Sequence, residues 1–327
     1  MKSFNIQKGK KMSFMEKSAK IYVAGHGGMV GSAIVRNLKA NGWTNIIGRR
    51  STELDLTCQS DVMNFISAVR PEYIFLCAAK VGGIYANVKF PAEFMYQNIM
   101  IQSNIIHAAY HNGIKRLMFL GSGCIYPRIT PQPIKEEYLL TSSLEKTNEA
   151  YAIAKIAGLK MCAFYNQQWG TNFTSCMPAN LYGPKDNYSL EDSHVVPALV
   201  RKFNEAHECG SHSVTVWGTG TPRREFLHVD DMADACVYLM ENYSGNEHIN
   251  VGYGSDITIR ELAELIREIS GFSGEIVYDK SMPDGTPQKL LDSSKLFNMG
   301  WKPKISLRDG IRETHEDYLR NRDIYRS

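Results

Sequence analysis

The segment Lys20 to Gly25 (KIYVAG) is a short apolar run that opens directly onto Gly25-His26-Gly27-Gly28-Met29-Val30-Gly31. An amphipathic stretch, MVGSAIVRNLKANG, follows and ends at Gly42, a residue suited to leaving a helix. A strand that meets G-x-x-G-x-x-G and leaves as a helix has few uses. The glycines let the backbone turn tightly and approach a pyrophosphate, which the helix N-terminus attracts. A plain glycine-rich turn is the bland alternative. The strand–turn–helix setting favours nucleotide binding through Gly25, Gly28, Met29, Val30 and Gly31.

The same rhythm continues. NIIGRR reads as a strand, DVMNFISAVR as a helix stopped by Pro71, and YIFLCAA as a strand. A long helix follows Pro91, RLMFLGS is the next strand, a helix runs from about Ala150 to Trp169, and NFTSCM is a strand ending at Pro178. Strands this apolar, each followed by a helix, predict a Rossmann-type α/β fold: a doubly wound parallel sheet covered on both faces. After LYGP (residues 181–184) the rhythm changes. The helix HVVPALVRKFNEAHE, the strands VTVWGTG and REFLHV, the helix TIRELAELIREIS with a Thr258–Glu261 capping box, the strand GEIVYD and the turn-rich PDGTPQKLL follow. They predict a smaller α/β substrate-binding domain. The expected division is an N-terminal extension over 1–19, mobile and lacking a signal-peptide core; a nucleotide-binding domain over 20–181; and a substrate domain over 182–327, from which about 223–252 returns to the first.

Composition narrows the function. A net charge of +3 on 327 residues is too small to argue for nucleic acid or an anionic membrane. No apolar run approaches the ~20 residues of a membrane span. The seven cysteines are scattered and none forms C-x-x-C, which points to free thiols in a reducing compartment, the cytoplasm.

Tyr151 and Lys155 are spaced Tyr-x-x-x-Lys and share a helix face. A free tyrosine has a pKa near ~10, and a neighbouring ammonium favours the phenolate, bringing proton exchange toward neutral pH. Alone the spacing is weak. It gains weight from the glycine loop and from Ser122-Gly123-Cys124, which closes an earlier strand. Ser122 suits a substrate oxygen. Cys124 is unusual, because plain hydride transfer needs no thiol. His194 opens a helix where the second domain would meet the sheet edge, and two readings stand: a structural or exposed histidine, or an imidazole that faces the Cys124 thiol across a keto-sugar as an acid/base pair. The second strand ends Gly48-Arg49-Arg50 with no acidic residue, which suits a 2′-phosphate and predicts NADP(H) over NAD(H); Asp55 and Leu56 would flank the adenine. No metal is expected. His107 and His111 lack a third ligand, and Asp230, Asp231 and Asp234 read as helix capping.

Together these residues resemble the extended short-chain dehydrogenase/reductase superfamily and, more narrowly, its GDP-L-fucose synthase family. The resemblance covers residues 20 to about 320 and rests on AGHGGMVGSAI, CAAKVGGI, QNIMIQSNIIHAA, FLGSGCIYP, NEAYAIAKIAG, NLYGP, HVVPAL, WGTGTPRREFLHVDDMA and PDGTPQKLLD. It implies that Ser122, Tyr151 and Lys155 are the reductase triad, and Cys124 and His194 the epimerisation pair. Leu120, Gly121 and Ser122, with Pro178, Asn180, Leu181, Lys155 and His194, would hold the nicotinamide half of NADP. Lys202, Trp217, Arg224 and Asp284 would contact a GDP-keto-sugar. A homodimer built on the helices at about 92–112 and 150–169 is implied as well. The chain departs from the family at Gly123, where serine or threonine is usual, at Gly27, where a basic residue is common, and at Lys202, where arginine is frequent.

The leading expectation is NADPH-dependent C3/C5 epimerisation and C4 reduction of a GDP-4-keto-6-deoxy-sugar. A C4 reductase of a related GDP-4-keto-heptose, with or without epimerase activity, is the alternative. A 4,6-dehydratase is disfavoured because Gly123-Cys124 stands where such enzymes carry carboxylates, and an NADP sensor because it would need no proton donor.

Overall fold

The computed structural model describes residues 15–189, 193–282 and 284–326. The loop expected over KDNYSLEDS and the turn-rich PDGTPQKLL therefore fall partly outside the described residues. The chain starts with β1 (Ile21–Ala24), α1 (Met29–Ala40), β2 (Ile46–Ile47), α2 (Gln59–Val69) and β3 (Tyr73–Leu76). Next come α3 (Ile84–Lys89), α4 (Pro91–His111), β4 (Arg116–Leu120), α5 (Glu149–Trp169) and β5 (Phe173–Pro178). Beyond β6 (Asn180–Tyr182) lie α6 (Val195–Glu208), β7 (Ser213–Trp217), β8 (Arg223–Arg224), β9 (Phe226–His228), α7 (Val229–Asn242) and β10 (Ile249–Val251). The chain ends with β11 (Ile257–Thr258), α8 (Ile259–Ser270), β12 (Glu275–Asp279), β13 (Gln288–Lys289), α9 (Ser294–Asn298) and α10 (Leu307–Arg326).

Six parallel strands form the central sheet in the order β10-β5-β4-β3-β1-β2. Side chains alternate across each strand. Ile21, Val23, Phe75, Met118 and Leu120 face a core with Trp43, Met232 and Cys236, whereas Tyr22, Ile74, Leu76 and Phe119 face a second with Ile105, Ile156 and Leu159. Helices α1 and α7 pack together over one face, and α4 packs on α2 and α5 over the other. Both faces are thus covered, which is why these strands read as continuous apolar runs. A third core, with Phe203, Val214, Leu262, Ile266 and Tyr318, holds α6, α8, α10 and β7 together. The capping box is present: Thr258 Oγ1 accepts from Glu261 N at 3.1 Å and Glu261 Oε2 accepts from Thr258 N at 2.7 Å.

Five local features differ from the sequence reading. The strand in NIIGRR is only Ile46–Ile47, an edge strand that pairs with β1 alone. REFLHV splits at Glu225: β8 joins β11 and β13, while β9 joins β6. PDGTPQKLL contributes β13, and α3 forms where no helix was expected. In the extension, residues 1–14 lie outside the described residues, but Met15 is 1% exposed and Trp43 Nε1 donates to Glu16 O at 3.2 Å. Residues 15–19 are therefore packed onto the core rather than trailing from it.

The glycine loop depends on close backbone approach. Gly25 has φ +83°, and a side chain at Gly31 would place its Cβ 2.1 Å from Gly25 O. Gly31→Ala is expected to lower the unfolding free energy by about 1–3 kcal/mol through overpacking, with weaker NADPH binding. Urea titration and cofactor fluorescence check both.

Candidate active site

The site forms at the carboxyl end of β4. Ser122 has extended backbone geometry and caps a single 3₁₀ turn over Gly123–Ile125, its Oγ accepting from Cys124 N at 3.4 Å. Helix α5 brings Tyr151 and Lys155 to the same place. Lys155 is 3% exposed and donates from Nζ to Leu120 O at 2.8 Å; Nζ lies 5.8 Å from the Tyr151 ring centroid. Ser122 also lies near enough to the Tyr151 phenol to lower its pKa. Ser122, Cys124, Tyr151 and Lys155 therefore share one cleft.

Burial dominates the proton chemistry. It drives the Lys155 pKa down from 10.5 to about 8, against the opposing influence of Cys124, Cys77 and Cys176. It pushes the Tyr151 phenol well above its ordinary value, as does Cys124, while Ser122 acts the other way. The sequence-based expectation that the neighbouring ammonium would favour the phenolate is thus corrected. Desolvation wins, and Tyr151 is held as a phenol, the form that donates. Burial also raises the Cys124 thiol; Lys289, Ser122 and Lys155 lower it.

His194 stands at the N-cap of α6, an exposed position of the chain, and desolvation of its imidazole by the surrounding protein holds it below the usual histidine range. Among the described residues no hydrogen bond joins it to Cys124. A cavity of about 50 Å³ is lined by Ser122, Cys124, Pro178, Asn180, Glu225 and Lys289. Sequence reasoning missed Glu225 and Lys289, although both lie inside motifs it quoted. Leu181, in β6, packs against the core beneath β9.

A dinucleotide fits the rest of the cleft. Helix α1 begins after Gly28 with no side-chain cap and no acidic residue in its first turn, so its first N–H groups, on Met29, Val30 and Gly31, suit a pyrophosphate. At Gly121 a Cβ would lie 2.2 Å from Met177, so the backbone after Leu120 stays close to β5. Arg49 and Arg50 are exposed at the end of β2, and no carboxylate pairs with either guanidinium among the described residues. Asp55 is exposed and binds Thr57 through its N–H at 2.9 Å and its hydroxyl at 2.7 Å, which lowers its pKa; Leu56 O accepts from Asn104 Nδ2.

Four further expected residues lie on the smaller domain. Trp217 is 61% exposed with Lys202 Nζ 5.4 Å from its ring centroid, and Lys202 Nζ donates to Thr215 O. Asp284 accepts from Thr219 N at 2.7 Å and Thr219 Oγ1 at 2.8 Å. Burial lowers the Arg224 pKa and Asp284 opposes it. An exposed indole beside an ammonium offers a platform for a base and a charge for a diphosphate.

The residues set aside as metal candidates have protein partners. His107 Nδ1 lies 2.7 Å from Tyr165 Oη, in an aromatic cluster with His111, Tyr110 and Trp169. Asp230 pairs with Arg36, Asp231 accepts from Lys304 N and Ile305 N, and Asp234 accepts from Trp301 Nε1 and Lys304 Nζ. His228 Nδ1, not an aspartate, caps α7 by accepting from Asp230 N at 3.3 Å. The aspartates instead staple α7 to α1 and to residues 301–305.

Residues 21–252 match the model of the NAD dependent epimerase/dehydratase family. GDP-L-fucose synthase 1 of Arabidopsis thaliana is 59% identical over 94% of this chain and 96% of its own length. GDP-L-fucose synthase of Escherichia coli (strain K12) is 50% identical over 94% of this chain and 98% of its own. A GDP-mannoheptose C4 reductase from Campylobacter jejuni with NADP bound superposes with a TM-score of 0.87 at 44% identity, over 93% of this chain and 99% of that one.

The depressed Lys155 has a signed consequence. Its folded-state value, about 8, lies below the ordinary 10.5, so the native state sheds this proton first. Below about pH 8 both states keep the proton and the burial penalty is felt in full; as pH rises toward 10.5 the native state gains. Lys155→Met removes that dependence. The unfolding free energy of the unsubstituted chain minus that of the variant is expected to rise by about 1–2 kcal/mol between about pH 8 and pH 9.5, measured by urea titration.

Proposed function

The chain belongs to the NAD dependent epimerase/dehydratase family, and on that footing we propose that it converts a GDP-4-keto-6-deoxy-sugar by C3/C5 epimerisation and C4 reduction. GDP-4-keto-6-deoxy-D-mannose is the proposed substrate and GDP-L-fucose the product. The observation that carries this reading is the convergence of Ser122, Cys124, Tyr151 and Lys155 on one cleft, with a thiol beside a reductase-type tyrosine. Support also comes from the two GDP-L-fucose synthases that resemble the chain along nearly its whole length.

A C4 ketone acidifies the protons on C3 and C5. Cys124 removes each proton, and His194 returns one from the opposite face. Burial makes the Cys124 thiolate a stronger but scarcer base, and the Lys289 ammonium offsets part of that scarcity. NADPH, when bound, supplies the hydride to C4. Tyr151 gives its proton to the C4 oxygen, Ser122 donates to the same oxygen, and the Lys155 ammonium lies behind both. Arg49 and Arg50 would hold the 2′-phosphate. Asp55 and Leu56 would flank the adenine, and Leu120, Gly121, Pro178, Asn180 and Leu181 the nicotinamide half. Lys202, Trp217, Arg224 and Asp284 would bind GDP. The free, scattered cysteines fit the cytoplasm, and among the described residues no helix is long and apolar enough to cross a membrane.

A second reading, C4 reduction of a GDP-4-keto-heptose without epimerisation, is favoured by the likeness to the Campylobacter reductase. One experiment separates the two. Tyr151→Phe is expected to abolish NADPH oxidation while C3 and C5 protons still exchange with solvent deuterium. Cys124→Ser is expected to slow exchange at least about a hundred-fold, any remaining reduction giving the unepimerised sugar. Unchanged exchange and unchanged stereochemistry in Cys124→Ser would rule out the thiol as the base, and no C3 or C5 exchange in the unsubstituted chain would favour the reductase-only reading.

We also propose a homodimer through α4 and α5. Tyr96, Ile153, Phe164 and Trp169 are all at least 39% exposed on these two helices, a concentration of apolar surface that suits a partner copy. Light scattering at micromolar concentration is expected to give twice the chain mass.

A further inference from the structure

Glu225 is 0% exposed and lines the same cavity as Cys124 and Lys289. It lies between β8 and β9, the point where the chain leaves the three-stranded sheet and pairs with β6. Its Oε1 accepts from Gly254 N at 2.7 Å and its Oε2 from Leu291 N at 2.9 Å. Its backbone completes the junction. Glu225 N donates to Lys289 O at 3.2 Å, and Asn180 Nδ2 donates to Glu225 O at 2.9 Å. One residue therefore ties β13, the loop after β10 and β6 together. A Cβ at Gly252 would sit 2.3 Å from Oε1, so the loop closes tightly around the carboxylate.

We propose that Glu225 is a positioning residue: its carboxylate clamps Leu291 and Gly254, and so holds β13 where Lys289 overlooks the Cys124 thiol. The functional weight of this clamp rests on the reading of Cys124 as the epimerisation base. An ionised carboxylate suits the task because its oxygens only accept, and they meet N–H donors. Glutamine has nearly the same volume, but its amide NH₂ would face a backbone N–H and release one side of the clamp. The Lys289 chain is close to the turn, with Cε 3.7 Å from where a Gly123 Cβ would lie. Burial of Glu225 without a cation among its direct partners raises its pKa to about 7, with Asp256 adding to the rise. The charged and titratable groups around Cys124 are Lys289, Lys155, Tyr151 and Glu225 itself, with the Ser122 hydroxyl beside them; of these Lys289 lowers the thiol most.

The test reads the thiol directly. Iodoacetamide alkylation of Cys124 is followed across pH by site-resolved peptide mass spectrometry, in the unsubstituted chain, Glu225→Gln, Lys289→Met and the double variant. The midpoint is expected to rise by about one pH unit in Glu225→Gln and as much in Lys289→Met. The double variant should move no further than Lys289→Met alone, because both changes withdraw the same charge. Should Glu225→Gln fail to fold, Glu225→Asp keeps the charge but shortens the reach by one methylene and is read the same way. An unshifted midpoint in a folded variant overturns the proposal. So does a shift that adds in full to that of Lys289→Met, since Glu225 would then act by another route. Alkylation needs no sugar, so a shifted midpoint in a protein that shows no deuterium exchange counts against the epimerase reading and not against the clamp.

Discussion

The Lys155 ammonium, buried and bonded to Leu120 O, is the contact on which the rest of the site depends. Burying a charge costs several kcal/mol even after relaxation. The 2.8 Å bond to a strand-end carbonyl and the nearby faces of Phe119 and Tyr151 offset part of that cost. What results is a fixed relation between α5 and the end of β4. Gly158 makes the approach possible, since a Cβ there would lie 2.6 Å from Phe119 and 2.7 Å from Gln102. Ser122 and Cys124 leave β4 immediately beyond Leu120. Their placement relative to Tyr151 follows from this one contact.

The second constraint comes from the smaller domain. The Ser122–Cys124 turn supplies only one wall of the cavity. Lys289, in the two-residue strand β13, and Leu291, just beyond it, supply another, and a strand so short would be marginal alone. Arg223 and Gln288 both bind Asp256, which knits β8, β13 and the start of β11 into one patch. Glu225 then fastens that patch to the dinucleotide-binding side. A cleft between domains can be this small and still be defined, because hydrogen bonds to one buried carboxylate set the spacing.

How much of this could be read in the residues themselves differed by range. The glycine loop, the Tyr151–Lys155 face and the Thr258 capping box were legible because their physics is local: a turn, a four-residue spacing and a cap. The sheet followed from apolar runs alternating with helices. Lys289 and Glu225 were not legible as site residues, because each reaches Cys124 through pairing between segments far apart in the chain. Nothing in the spacing of REFLHV marks Glu225 as the point where one strand becomes two. The state of Tyr151 was misjudged for a related reason. A neighbouring lysine is visible in sequence, but the desolvation that outweighs it is not. Asp231 and Asp234 likewise read as helix caps, because residues 301–305, which they bind, lie some seventy residues further on.

The same burial bears on how two chemistries share one cleft. Tyr151 and Cys124 are both raised by desolvation, and charge on Cys124 raises Tyr151 further. Two like-charged groups this close do not ionise together. When Cys124 holds a thiolate, Tyr151 is held the more firmly as a phenol. A base and an acid are thus kept apart in protonation state within one small volume. On the proposed reading, the thiolate takes a carbon-bound proton while the phenol keeps its own for the carbonyl oxygen. Lys155 and Lys289 approach Cys124 as separate cations, one from α5 and one from β13, and both lower the thiol. Only the Lys155 side belongs to the scaffold shared with plain reduction. On the proposed reading, proton abstraction leans on the domain junction and proton donation from Tyr151 on the central sheet, and the two are separable because different parts of the fold hold them.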